Sequence, residues 1–187
     1  MKISTLEYYT LDPINLNHHE DLDMNIENGL WRFGPNRLIT MTASLGIVLA
    51  AYNEKTKTGL LGSFMAVSGV NPNVESHRSE FNGAFLALNG IAAVKRIKLW
   101  LGGGTPLVIE GVDVVAPDRA YAESCVEEFM RGNEIDRDNL TISWSKPERS
   151  IAAELDPKKG TLMIHDYPDL ATYLLSDLSD STSEGEL

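Results

Sequence analysis

Two segments of the chain repeat apolar residues every three or four positions. Phe81, Ala84, Phe85, Leu88 and Ile91 share one helical face, which predicts an amphipathic helix of about four turns following the loop SGVNPNVESHRS. Tyr121, Ala122, Cys125 and Phe129 do the same in PDRAYAESCVEEFMRG, where Asp118 is a good N-cap and Gly132 a natural stop.

Elsewhere the pattern turns to β-branched and short apolar runs. RLITMTASLGIVLAAY predicts one long or bulged strand, or two short ones. NEKTKTG is turn chemistry ending at Gly59, and LLGSFMAV is the return strand of a hairpin. IKLWL reads as a strand running into Gly102, Gly103 and Gly104, and VIEGVDVV as a further strand. LTISW, then SIAAEL, the turn DPKKG and TLMIH supply the last strands. The order predicts an α+β fold: a layered, mixed β-sheet built from hairpins, packed with two main helices.

Flanking this region, residues 1–36 read as a polar, irregular segment punctuated by Pro13, Gly29, Gly34 and Pro35. Residues 37–166 form the domain proper. In 167–187, Pro168 fits a first helical turn, and Leu170, Tyr173, Leu174 and Leu178 make a short amphipathic stripe. SDLSDSTSEGEL then has four acids and no base, which predicts a disordered acidic tail.

Composition narrows the classes of partner. The chain has 187 residues, of which 43% are hydrophobic and 23% charged, ordinary values for one globular domain. Its 16 Lys+Arg against 27 Asp+Glu give a net charge of -11. Such a chain gains nothing from counterion release, so nucleic acid is not the expected partner, and the cluster Lys95, Arg96, Lys98 is too short to reverse that. Anionic membranes are disfavoured on the same ground, and the run Ile47 to Ala51 is far below a membrane span. The N-terminus lacks the apolar stretch of a signal peptide, so the cytoplasm is the expected compartment.

Candidate chemistry is sparse. The single cysteine, Cys125, excludes an intramolecular disulfide and a cysteine-based metal centre, and its place on an apolar helix stripe reads as core packing. No dinucleotide fingerprint, Walker A or GxSxG motif is present. GGGTP reads as a tight turn or bulge after a strand; a backbone nest for an anion is the other reading it allows. His18 and His19 lie beside Glu20, Asp21 and Asp23, a set chemically able to bind a divalent metal, but adjacent residues point apart and no metal is expected. His77 falls in a polar loop and His165 near a strand end. No cofactor is expected.

The ordered series RLITMTASLGIVLAAYNEKTKTGLLGSFMAV, KLWLGGGTPL, DRAYAESCVEEFM and IAAELDPKKGTLMIH resembles the chemoreceptor glutamine deamidase (CheD) family over residues 37–166. In that family a strand with a threonine and a GSC motif leads through D-x-x-x-K-x-G to a strand with A-H-x-M. K-I-x-GGA, an R-N-x-E-A-V helix and a D-x-x-x-G hairpin follow. The resemblance implies a fold used for thiol-dependent deamidation, with a Cys nucleophile, a His base and a supporting Thr. Anchored on Asn53 and Gly59, the Cys position is Gly46, the His position Ser63 and the Thr position Thr40. The family's GG-x-x-x-R segment reads SKPERS, with Lys146 and Pro147 for the glycines and Arg149 at the arginine.

Acyl transfer from an amide needs an activated nucleophile and a group to carry its proton. The resemblance therefore implies a non-catalytic binding protein that holds a protein partner in a former cleft marked by Thr40, Gly46 and Ser63. The alternative is an amidohydrolase rebuilt from Thr40, Ser44 and Ser63 with His77 or His165 as base.

Overall fold

A computed structural model describes residues 1–9, 25–26, 30–42, 46–65, 73–90, 93–105, 107–109, 112–115, 118–147 and 149–168; at 25–26, 40–42, 65, 73–78, 107–109 and 112–115, which include Thr40 and His77, it describes the backbone alone. The described strands are β1 (Lys2–Glu7), β2 (Asn25–Ile26), β3 (Trp31–Gly34), β4 (Leu38–Thr42), β5 (Gly46–Asn53) and β6 (Thr58–Met65). Helix α1 (Asn73–Asn89) follows, then β7 (Ile97–Gly103), β8 (Leu107–Ile109) and β9 (Val112–Val115). Helix α2 (Arg119–Gly132) precedes β10 (Leu140–Trp144), β11 (Arg149–Asp156) and β12 (Thr161–Pro168). The class is α+β, as the sequence predicts.

One sheet has the order β1-β12-β11-β4-β2, the other β10-β7-β5-β6-β3, and β8 pairs with β9 apart from both. The two larger sheets stack face to face, and the helices cover the outer face of the second. Strand β5 is buried along its whole length because it is covered on both faces. Its alternate residues Ile47, Leu49 and Ala51 pack with Phe81, Phe85, Leu88 and Phe129 of the helices. Val48, Ala50 and Tyr52 face the other way, onto Leu38, Ala153, Leu155 and Leu162 of the first sheet.

The turns follow from local chemistry. Asn53 Oδ1 accepts from the amides of Lys55 and Thr56 at 3.0 and 3.2 Å, which closes the β5–β6 turn, and Lys57 takes a positive φ of 55°. At the β11–β12 turn Gly160 has φ 66°, with its amide on the Asp156 carbonyl at 2.8 Å. Asp118 caps α2 by accepting from the Tyr121 amide at 2.9 Å.

Four readings need correction. Residues 1–36 are not irregular throughout, since β1, β2 and β3 lie there. β1 escaped notice because it is an edge strand with a mostly exposed pattern, paired in parallel to β12 at the far end of the chain. Helix α1 begins at Asn73, so much of the expected loop, His77 included, is helical; its first turns lack the apolar repeat that marks the rest. VIEGVDVV forms two short strands. Pro168 ends β12 opposite Arg149 and does not open a helix. The stripe at Leu170, Tyr173, Leu174 and Leu178, and the acidic tail, lie outside the described residues.

Candidate functional site

The β5–β6 register sets Val48 opposite Ser63 and Gly46 opposite Met65, so Gly46 and Ser63 are diagonal neighbours, roughly 7–8 Å apart for such a pair. Ser63 shares a face with Val48 and Leu61, which look into the layer between the sheets, and it has 0% exposure. Thr40 pairs with Ala153 on β11, and Ala153 belongs to the same layer. The three positions thus stand on facing strands of the two sheets, with Gly46 and Ser63 enclosed.

The glycine run closes this end of the layer. The Gly104 amide donates to the Gly46 carbonyl at 2.7 Å, and the Ser145 amide donates to the Gly103 carbonyl at 2.9 Å. Gly103 and Gly104 have φ of 78° and 65°. A Cβ on Gly103 would sit 2.5 Å from the Gly46 oxygen, so only glycine permits this approach. Arg119 of α2 completes the closure: its guanidinium donates to the Gly104 carbonyl at 2.7 and 3.0 Å and to the Ser145 carbonyl at 3.1 Å, while lying 5.2 Å from the Trp144 ring. With the Gly104 amide engaged by Gly46, the run serves as a turn and close-packing device.

The other candidate groups are distributed away from Gly46 and Ser63. Cys125 packs half-buried on α2, on the helix side of the second sheet, and donates to Asn82 Oδ1 at 3.9 Å. His165 pairs with Ala152 on β11; its neighbour Ile164 faces the inter-sheet layer, so the imidazole lies on the outer face of the first sheet. There Tyr8 Oη meets its Nδ1 at 3.0 Å, and Glu154 Oε2 lies 3.8 Å from its Nε2. The backbone of the first sheet stands between His165 and Ser63, which removes His165 as a base for that serine. Ser44, His18 and His19 lie outside the described residues. Among the described residues, no three of His, Cys, Asp and Glu form a metal-holding group.

The outer face around His165 is electrostatically organised. The His165 imidazole nearby, against the cost of burial, and the Arg37 guanidinium bonded at 2.6 Å hold the Glu154 carboxyl down at about 2. Burial, then the neighbouring Tyr8, pushes the Tyr167 hydroxyl up to about 12. Arg149 of β11 is bound to Asp166 Oδ1 on β12 at 2.7 Å and to the carbonyl of Tyr8, just after β1, at 2.8 Å. Sequence reading missed the roles of Arg119 and Arg149, since each acts on backbone carbonyls or acids far away in the chain. No helix among the described residues is long and apolar enough to cross a membrane.

No protein-family model matches the chain, and no curated protein does. Among solved structures it is similar to the hypothetical protein YfiH of Bacillus licheniformis, with 7% identity and a TM-score of 0.37 over 63% of this chain and 50% of that one. The chain therefore spans about half the length of that protein.

Proposed function

We propose that the chain is a non-catalytic protein on a CheD-like framework, a cytoplasmic module that binds or regulates a protein partner; with Gly46 and Ser63 enclosed, the partner docks on a surface outside those two positions. One observation carries this reading: Gly46 and Ser63, the residues that the resemblance aligns with the family's thiol and imidazole, are buried diagonal neighbours on β5 and β6. A hydroxyl enclosed between sheets has no access to a glutamine side chain. The only thiol, Cys125, is on the helix side of the second sheet, and His165 is on the outer face of the first. The net charge of -11 directs the module toward proteins and away from nucleic acid.

The test is incubation of the purified chain with glutamine-containing receptor peptides, reading ammonia release and the one-dalton mass gain of deamidation. Neither is expected. Turnover dependent on an intact Ser44 and His77 would replace this reading with a rebuilt amidohydrolase.

A further inference from the structure

On the outer face of the first sheet a hydroxyl, an imidazole and a carboxylate stand in sequence. Tyr8 Oη lies 3.0 Å from His165 Nδ1, and Glu154 Oε2 lies 3.8 Å from His165 Nε2. The other carboxylate oxygen of Glu154, Oε1, is bonded to Arg37 Nε at 2.6 Å, so Oε2 is the oxygen beside the ring. Glu154 stays ionised across the neutral range, its carboxyl being held at about 2. A carboxylate on the Nε2 side favours the neutral tautomer with its proton on Nε2, and Nδ1 is then the atom that accepts from the phenol. Attraction between Glu154 and an imidazolium acts across 3.8 Å without a direct hydrogen bond. Among the described residues, the titratable or charged groups on this side of the imidazole are Tyr8 beyond β1, Tyr167 on β12, Glu154 on β11 and, through Glu154, Arg37 before β4.

Tyr8 is fixed on three sides. Its amide donates to the Asp166 carbonyl at 2.8 Å, its carbonyl accepts from Arg149 at 2.8 Å, and its ring stacks on Tyr167 with 4.5 Å between centroids. A nucleophile, a base within hydrogen-bond reach and a third group behind the base form the arrangement that activates a hydroxyl for attack on an acyl carbon. The next residue supplies a contrast within the same peptide. Tyr9 is 82% exposed, its hydroxyl donates to Glu7 Oε2 at 3.3 Å, and no imidazole bonds to it among the described residues.

We propose that Tyr8 is an acyl-acceptor site for donors carrying an activated acyl group, with His165 as the proton acceptor and Glu154 as a positioning residue. Tyr8 Oη attacks the acyl carbon, and the new C–O bond forms as the bond to the leaving group breaks. The phenolic proton passes to His165 Nδ1 and from there to solvent. The product is an ester on Tyr8, formed once per chain, so the site is one of modification. It stands across the first sheet from Ser63 and does not rest on the protein-binding reading.

The test treats the purified chain with p-nitrophenyl acetate and follows acetylation of Tyr8 and Tyr9 by tandem mass spectrometry of the peptide that contains both. An ordinary phenol attacks as its phenolate and slows about tenfold for each pH unit below roughly 10, whereas attack through a neutral imidazole is nearly level between about pH 7 and pH 9. Although Tyr8 is the less exposed of the two, it is expected to be acetylated at least about tenfold faster than Tyr9 at about pH 7. Between about pH 7 and pH 9 the rate at Tyr8 should change by less than about threefold while that at Tyr9 rises about a hundredfold. His165→Gln, with its melting temperature measured alongside, should remove the preference and leave Tyr9 labelling unchanged. Tyr8 reacting no faster than Tyr9, Tyr8 rising in step with Tyr9 as the pH is raised, or a preference that survives in His165→Gln would overturn the inference. The pH series is read on the wild type, so it decides the matter even if the variant is unstable.

Discussion

The Gly104 amide is bonded to the Gly46 carbonyl at 2.7 Å, so the glycine run after β7 is fastened to the first residue of β5. Gly103, between them, combines a positive φ of 78° with a Cβ position 2.5 Å from the Gly46 oxygen. Gly103→Ala should therefore lose about 2 kcal/mol or more, from left-handed strain and the forced displacement of backbone. Gly132, at the end of α2, has nothing within 4 Å of its Cβ position. Gly132→Ala should be neutral or stabilising by about 0.5 kcal/mol. Urea unfolding of the two variants decides it; equal effects would contradict the close-packing role of the run.

Arg119 makes three hydrogen bonds to the Gly104 and Ser145 carbonyls and covers the Trp144 ring. An ammonium cannot reproduce that planar fork. Arg119→Lys should cost about 1–2 kcal/mol and alter Trp144 fluorescence. An unchanged unfolding midpoint would show that the clamp contributes nothing.

Glu154 gives the fold an acid limb. Its carboxyl is held at about 2, below the ordinary 4.5, so the folded state favours the charged form. A depressed folded value contributes stability that is fully present above the unfolded value and is lost as pH falls through the folded one. Stability should thus decline between about pH 5 and pH 2, and Glu154→Gln should flatten that decline while costing about 1–2 kcal/mol near neutrality. Denaturant titrations across this range check the slope; a slope unchanged in Glu154→Gln would contradict the assignment.

Cys125 is a half-buried packing residue whose weak donor meets Asn82 Oδ1 at 3.9 Å. Cys125→Ser should lower stability by less than about 1 kcal/mol, because the position is half-buried and the replacement hydroxyl is not fully removed from water. Thermal melts measure this, and loss of any activity in that variant would show the thiol to be functional.

Elements with strong apolar repeats or local turn chemistry were legible in the sequence. Phe81, Phe85, Leu88 and Phe129 are all buried as their spacing implies, and Asp118 caps the helix it was expected to start. Asn53 closes the hairpin turn on which the alignment is anchored. β1 was not legible, because its exposed edge leaves little hydrophobic alternation and its partner β12 lies at the opposite end of the described chain. The site was legible only as positions along strands. Alternation gives which residues share a face, but the stacking of two sheets, which encloses Ser63 and puts His165 on the far side of β12, is a tertiary fact.

The non-catalytic reading is tested most directly by deamidation of glutamine-containing receptor peptides, followed by mass spectrometry and ammonia release. No turnover above the protein-free control is the expected result for the wild-type chain. Turnover that disappears in Ser44→Ala or His77→Ala would contradict it, placing a working nucleophile and base where Gly46 and Ser63 leave none.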